Sequence, residues 1–388
     1  MDVLVVSHMP WTKSAGGPQG NVMLAEHLRE MGHRVDKYTF EDAFPEKNVF
    51  VRYFGGALFP WKAVQHVRHS ETSYDLIQAD QGNLPASKRY MRTDATVVYN
   101  SHGLYHHHKS YGKKAPSRKK NRTRGSVLGR LAGYISNKLT KPEFLIEQSV
   151  RHADAISAMN RDELRFAESH FPDKHVVLKQ GGLSQQRLSA LNSVASEDGV
   201  EERPTVGYIG VWNPRKGALD LPPVFQTIRR QHPGAAFRLL GTGQPRTEVL
   251  RDIPEPLQSD VEVVPSYSYE ELPQLLRGIT VGVLPSYIEG FGYAVLEMLA
   301  AGIPVVTYDV PGPRDMLQKL PKSLMVPAAE KESMGRKISD LLTLDPSSYE
   351  QLSRECMQAA GQFQWSDIIR RYVSALEDPE TRQVHSGG

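Results

Sequence analysis

The sequence predicts an α/β protein built as two Rossmann-like domains facing each other across a cleft, and three observations predict it. At 388 residues the chain exceeds what one ordinary core supports, so two domains of roughly 150–200 residues are the natural division. Short apolar runs alternate with helical stretches twice over, the pattern of parallel sheets covered on both faces. Between the two series lies a polar stretch, 193–204, holding Glu197, Asp198, Glu201 and Glu202 and no apolar cluster. Such a composition reads as a linker. The first domain is therefore expected over 1–195 and the second over 204–365.

In chain order, strand-like runs occur at 3–7, 34–39, 76–79, 96–100, 155–158 and 176–179. A helix is expected from about residue 18 to 31, ended by Gly32, since glycine suits the position just past a helix. The second series has runs at 205–211, 236–240, 261–264, 281–284, 305–307 and 324–326. Beyond it, Trp365, Ile368, Ile369, Tyr372, Val373 and Leu376 recur at helical spacing. That helix, near 366–380, is expected to pack back on the first domain, with the last dozen residues frayed. Ligands in open α/β sheets bind outside the carboxyl ends of the strands, so motifs there carry the functional argument.

Composition narrows the class. No apolar run approaches the ~18 residues that span a bilayer. The N-terminus lacks a basic segment and a small-residue cleavage site, and reads as a buried first strand. The single cysteine, Cys356, rules out an internal disulfide and a cysteine-based zinc cage. A cytoplasmic protein without a metal site is expected. His106, His107 and His108 are consecutive, and no carboxylate lies near them in sequence, which favours a solvated loop over a metal centre.

The net charge of +3 conceals an asymmetry. Between Ala95 and Pro142 there is no Asp or Glu but eleven Lys or Arg, from Lys109 to Lys141, so the remainder carries −8. The block leads into Val127, Leu128, Leu131, Ile135 and Leu139, one face of a basic amphipathic helix. It suits an anionic membrane surface, peripheral at its inner face, or a polyprenyl-phosphate acceptor; a solvated loop before a core helix is the alternative. Nucleic acid fits poorly, because no aromatic interleaving accompanies the charge.

The densest signal is the stretch 285–306, PSYIEGFGYAVLEMLAAGIPVV. A strand ends at Leu284, a loop containing Gly290 and Gly292 follows, and a helix closes at Gly302. The backbone N–H groups of Phe291 and Gly292 open that helix, where dipole and unpaired donors suit a diphosphate. Glu289 precedes the turn and Glu297 lies about two turns into the helix, where carboxylates can accept from sugar or ribose hydroxyls. An isolated glutamate on a connecting helix is ordinarily a surface residue; the loop glycines weigh the other way here.

This stretch resembles the glutamate-x7-glutamate motif of retaining glycosyltransferases, and its Glu-Gly-Phe-Gly…Leu-Glu…Ala-Ala-Gly-x-Pro-Val is similar to family 4. The order and spacing of motifs match from residue 1 to about 376. The resemblance implies the GT-B fold, a nucleotide-sugar donor as substrate with UDP-sugar favoured over GDP-sugar, and no cofactor. It implies that Glu289 touches donor-sugar hydroxyls and that Glu297 holds the nucleotide ribose.

Further motifs follow the same logic. In Gly207-Tyr-Ile-Gly210-Val-Trp-Asn-Pro-Arg215-Lys216-Gly217, adjacent cations on a strand-to-helix loop can neutralise a departing diphosphate. The family places an arginine right after the first loop glycine and a lysine five positions later; Val211 stands at the former position, Lys216 at the latter, and Arg215 is a stand-in. Gly16 and Gly17 open a helix after the first strand, where glycine allows close approach of backbone to a phosphate or sugar. The G-x-G-x-x-G spacing is absent, which weakens a nicotinamide-dependent oxidoreductase. His102, in a His-Gly at a strand's carboxyl end, resembles the family's histidine lying against the donor sugar. Gly241 and Gly243 resemble its Gly-x-Gly beside the nucleotide, and the base is expected near 264–266. Arg314 sits at a strand-to-helix turn.

The expectation is therefore a retaining, metal-independent hexosyltransferase in cell-surface polysaccharide or glycoconjugate synthesis, acting on a glycan, lipid-linked or small-molecule acceptor. The rivals are a non-catalytic nucleotide- or glycan-binding protein of the same fold and, more remotely, the oxidoreductase.

Overall fold

The computed structural model describes residues 1–13, 16–46, 48–103, 142–196, 203–321 and 324–377. The basic block from Lys109 to Lys141 and the histidines at 106–108 lie outside the described residues, so the membrane-facing reading is neither supported nor opposed. No described helix is long and apolar enough to cross a membrane.

The chain forms two compact units. The first has a six-stranded parallel sheet in the order β2-β1-β3-β4-β5-β6, from β1 (Asp2–Ser7), β2 (Arg34–Thr39), β3 (Leu76–Asp80), β4 (Thr96–Asn100), β5 (Ala155–Ala158) and β6 (His175–Leu178). The second has the parallel order β12-β11-β10-β7-β8-β9, from β7 (Thr205–Ile209), β8 (Ala236–Leu240), β9 (Val261–Val264), β10 (Val281–Leu284), β11 (Val305–Tyr308) and β12 (Met325–Val326). Strands buried on both faces read as continuous apolar runs. All five residues of β3 and of β7 are buried accordingly.

Six helices matter to the site: α1 (Gly16–Glu30), α2 (Gln185–Ser196), α3 (Tyr293–Ala300), α4 (Pro311–Leu317), α5 (Pro346–Ala360) and α6 (Trp365–Glu377). In the first unit, Leu4, Val6, Phe59, Ile77, Val97 and Ile156 belong to one buried cluster. Helix α6 belongs to this unit although it ends the described chain. It packs against α1 and β6, buries Trp365, Ile368, Ile369, Tyr372 and Val373, and the Tyr372 hydroxyl donates to Gln78 Oε1 at 2.7 Å.

The boundary differs from the sequence expectation. Contacts divide the chain at 180/181 rather than near 195, and residues 193–196 are the last turn of α2 rather than linker. Helix α2 buries Leu188 and Leu191 and packs against α3 in the second unit. Its apolar face decides its membership, whereas the acidic residues that marked the linker begin only at Glu197.

Candidate active site

In an open parallel sheet a ligand crevice opens outside the carboxyl ends of the two strands at which the chain order reverses. In the second sheet these are β7 and β10, and in the first β1 and β3. The loops leaving β7 and β10 carry the Lys216 and Glu289 motifs, so topology alone makes them neighbours.

After β7 the chain turns at Asn213, whose Oδ1 accepts from the Lys216 backbone N–H at 2.9 Å and caps a short 3-10 turn, Pro214–Lys216. Gly217 then adopts φ +74°, a left-handed conformation that glycine tolerates best. A Cβ there would lie 2.0 Å from the Pro285 carbonyl oxygen, so the two loops touch backbone to backbone. The Tyr287 N–H donates to the Arg215 carbonyl at 3.0 Å. Across this contact Lys216 Nζ meets Glu289 Oε1 at 2.5 Å, both side chains mostly buried. The Arg215 side chain is exposed, yet its charge, like that of Glu289, acts on the buried Tyr208 phenol.

Beneath the pair lies a network that the sequence did not disclose. Asp220 is fully buried, and its Oδ2 accepts from the hydroxyls of Tyr287 at 2.5 Å and Tyr308 at 2.9 Å. Lys331 Nζ lies 3.4 Å from its other oxygen. Asp220 follows Lys216 by four residues and Tyr287 precedes Glu289 by two, so one carboxylate ties both loops together.

Glu289, Gly290, Phe291 and Gly292 lead into α3. Gly292, at φ +95°, is its N-cap and no side chain caps it, which leaves the first N–H groups of the helix to water or a ligand. Phe291 is buried rather than facing a ligand with its side chain. Gly181 and Gly312 press on it so closely that a Cβ at either would lie 2.4 Å from a Phe291 atom. Helix α4 thus rests on the glutamate loop, and Arg314, paired with Asp309 at 2.7 Å, belongs to this support.

Glu297 lies on α3 and is nine-tenths buried. Its Oε1 accepts from Arg187 Nη2 at 2.7 Å, a contact across 110 residues of sequence. Gly241 and Gly243 have φ of +69° and +63°. Their N–H groups donate to the carbonyls of Val264 and Pro265, at 2.8 and 2.9 Å, while Trp212 N–H donates to Thr242 O at 2.7 Å. The Gly-x-Gly turn is therefore stitched to the β7 loop on one side and the β9 loop on the other. Val211, standing where the resemblance calls for arginine, is 45% exposed.

In the first unit His102 Nε2 lies 2.7 Å from Asp80 Oδ1. Asp80 ends β3 and is buried; it also accepts from Ser7 at 2.6 Å, Asn100 at 2.7 Å, and Asn21 at 2.9 and 3.1 Å. Burial alone would raise its pKa, but the His102 charge and these donors outweigh it and hold the carboxyl well below the usual carboxylate range. With Nε2 turned to Asp80, Nδ1 is the ring atom left over; it is buried without a partner among the described residues. Gly16 and Gly17 begin α1, and a Cβ on Gly17 would lie 3.3 Å from Met9 Sδ.

The structure thus brings together Lys216, Arg215, Glu289, Gly290 and Gly292 in the second unit. It places Glu297, Gly241 and Gly243 in the same unit, and His102, Gly16 and Gly17 in the first. Sequence reasoning missed Asp80, Asp220, Tyr287 and Arg187. Only Asp80 had a visible sign, a carboxylate closing a buried strand.

Residues 193–360 match the family model described as Glycosyl transferases group 1. Among curated relatives, D-inositol 3-phosphate glycosyltransferase of Nocardia farcinica is 26% identical over 247 residues, 59% of this chain and 54% of that protein. The chain spans between 22% and 60% of the length of such relatives. Among solved structures, sucrose-phosphate synthase from Thermosynechococcus elongatus superposes with a TM-score of 0.75 at 17% identity, covering 98% of this chain and 99% of that one. Anabaena HepE in complex with UDP and glucose gives 0.65 at 16%, covering 97% and 99%. Residues 193–360 are thus similar to group 1 glycosyl transferases, and the chain's two Rossmann-like units have the GT-B fold of these solved structures.

Proposed function

We propose that this protein is a retaining glycosyltransferase that moves a hexosyl group from a UDP-sugar to a hydroxyl of a glycan, lipid-linked or small-molecule acceptor. Its proposed setting is cell-surface polysaccharide or glycoconjugate synthesis. The observation that carries the reading is the Lys216–Glu289 pair at 2.5 Å on the two loops of the β7/β10 switch point, beside the uncapped start of α3. Without substrate the two charges neutralise each other. A bound nucleotide-sugar separates their tasks: Lys216 and the helix N-terminus face the diphosphate, and Glu289 accepts from sugar hydroxyls.

In the proposed front-face reaction the bond between the anomeric carbon and the phosphate oxygen breaks, its electron pair leaving with UDP. The acceptor oxygen bonds to the same face, and its proton passes to the departing phosphate. Lys216, Arg215 and the α3 N–H groups stabilise the charge that develops there, so no divalent ion is required for that step. Glu297 holds the ribose; His102, held by Asp80 in the first unit, is assigned to the donor sugar by the family resemblance alone. UDP is favoured as the nucleotide, and the UDP-bound neighbour supports that choice.

The test is hydrolysis of UDP-glucose followed by UDP release, with and without EDTA. Turnover unchanged by chelation is expected. Activity lost on chelation and restored by Mg²⁺ would remove the leaving-group role assigned to Lys216, and no UDP binding at all would remove the reading.

A further inference from the structure

Glu297 presents a physical problem. A carboxylate nine-tenths buried on a helix whose neighbours are Val295, Leu296, Met298, Leu299 and Ala300, all buried, should prefer its uncharged form. Burial does push its pKa up, and the Arg187 guanidinium opposes that push. Arg187 is itself 4% exposed and held through both terminal nitrogens, its Nε buried without a partner among the described residues. Nη2 donates to Glu297 Oε1 at 2.7 Å, Nη1 donates to the Tyr269 carbonyl, and the guanidinium plane lies 3.8 Å from the Tyr269 ring centroid. Its backbone N–H donates to the Ser184 hydroxyl at 3.2 Å, early in α2. Arg187 thus takes one carboxylate oxygen of Glu297. The other, Oε2, has no hydrogen-bond partner among the described residues, and the side chain keeps 12% of its exposure.

We propose that Arg187 is a positioning residue for nucleotide binding: it pins Glu297 Oε1 and so presents Oε2 to the ribose diol of a nucleotide. The inference rests on the assignment of Glu297 to the ribose made above. It goes beyond it by giving that carboxylate an obligatory partner from a helix 110 positions away. Lysine is a poor substitute, because a point charge reproduces neither the two-pronged donation nor the stacking on Tyr269.

The other ionisable groups around Glu297 leave it the group that titrates. The phenols of Tyr267 and Tyr293 are pushed up by burial. Helix α5, packed on α3, buries Cys356, whose thiol is pushed up to about 12. On β11 burial raises Tyr308, β10 has no ionisable side chain, and α2 contributes Arg187 alone.

The experiment is calorimetric titration of UDP into wild type, Arg187→Leu, Arg187→Lys and the double variant Arg187→Leu/Glu297→Gln between pH 5.5 and 8. Expressing each result as a Kd ratio to wild type cancels the titration of UDP itself. Without Arg187 the Glu297 pKa climbs further, so protonation removes the charged acceptor as pH falls. The Arg187→Leu ratio should therefore grow from about tenfold at pH 8 to about a hundredfold at pH 5.5. Arg187→Lys should recover part of the affinity. The double variant, with no carboxyl to titrate and no unpaired buried charge, should fold and show a weak but pH-flat ratio. An Arg187→Leu protein that binds UDP like wild type, or a double variant whose ratio still varies with pH, would overturn the inference while leaving the transferase reading intact. A wild type that binds no UDP overturns that reading and this inference with it.

Discussion

Substituting Gly217 by alanine tests whether the Lys216 and Glu289 loops function as one rigid contact. The glycine sits at φ +74°, where an L-residue costs about 1–2 kcal/mol. Its new Cβ would meet the Pro285 carbonyl oxygen at 2.0 Å and the Pro285 carbonyl carbon at 2.6 Å. An ordinary carbon–oxygen contact is longer by roughly 1.3 Å, and forcing such an atom into packed structure costs about 1–3 kcal/mol. Both obstacles are backbone, so the relief available is separation of the loops. Because Lys216 precedes Gly217 and Glu289 lies in the loop that Pro285 begins, that separation opens the 2.5 Å ion pair. Gly217→Ala should lose about 2–5 kcal/mol of stability, and a displacement near 1 Å at reacting groups should lower kcat about 100-fold. Gly234→Ala is the control, since Gly234 has nothing within 4 Å of its position. Urea unfolding and UDP-glucose hydrolysis read the two effects, with UDP affinity measured in parallel. Affinity should fall less than turnover, because Lys216 loses its placement against the diphosphate while Glu297 stands apart from the clash. A Gly217→Ala protein with the stability and turnover of Gly234→Ala would refute the argument that backbone contact sets the geometry of the pair.

Glu289→Ala should cut turnover while UDP still binds, and Glu297→Ala should chiefly weaken UDP; equal losses of UDP affinity in both would show the division of roles to be wrong. Tyr287→Phe removes one hydroxyl donor to the buried Asp220 carboxylate, so stability should fall by about 1–3 kcal/mol, with kcat falling and UDP affinity unchanged, as denaturation and kinetics would record. Lys179, 5% exposed, has its amine lowered to about 8 by burial, against the opposing charge of Asp80. Between about pH 8 and 10.5 the unfolded chain holds a proton that the native state has released, so this group makes stability rise through that window. Lys179→Met should flatten the rise and stabilise the protein below pH 8 by about 3 kcal/mol; denaturation curves at pH 7 and pH 10 check both parts.

The alternation of apolar runs was enough to find both six-stranded sheets, because a strand buried on two faces has little freedom in composition. Strand ends were less legible. Asp80 extends β3 one residue past the apolar run, and the run expected at 205–211 stops at Ile209, where Gly210, Val211 and Trp212 turn instead into the loop. The 180/181 division was not legible either, since the membership of α2 depends on what Leu188 and Leu191 pack against, and a polar run only marks where packing ends.

By itself the sequence determined the loop glycines, the Glu289 and Glu297 spacing on one strand–helix unit, and the cation at Lys216, because each is a local demand of backbone conformation or of residues eight or fewer apart. The tertiary structure decided the rest. It set Lys216 against Glu289 across 73 residues, Arg187 against Glu297 across 110, His102 against Asp80 across 22 and Tyr287 against Asp220 across 67. Pairing of this kind follows from strand order: β7 and β10 are neighbours although β8 and β9 separate them in the chain. A buried charge is tolerated only where a partner meets it, and a sequence spells out the charge without stating which distant element arrives to meet it.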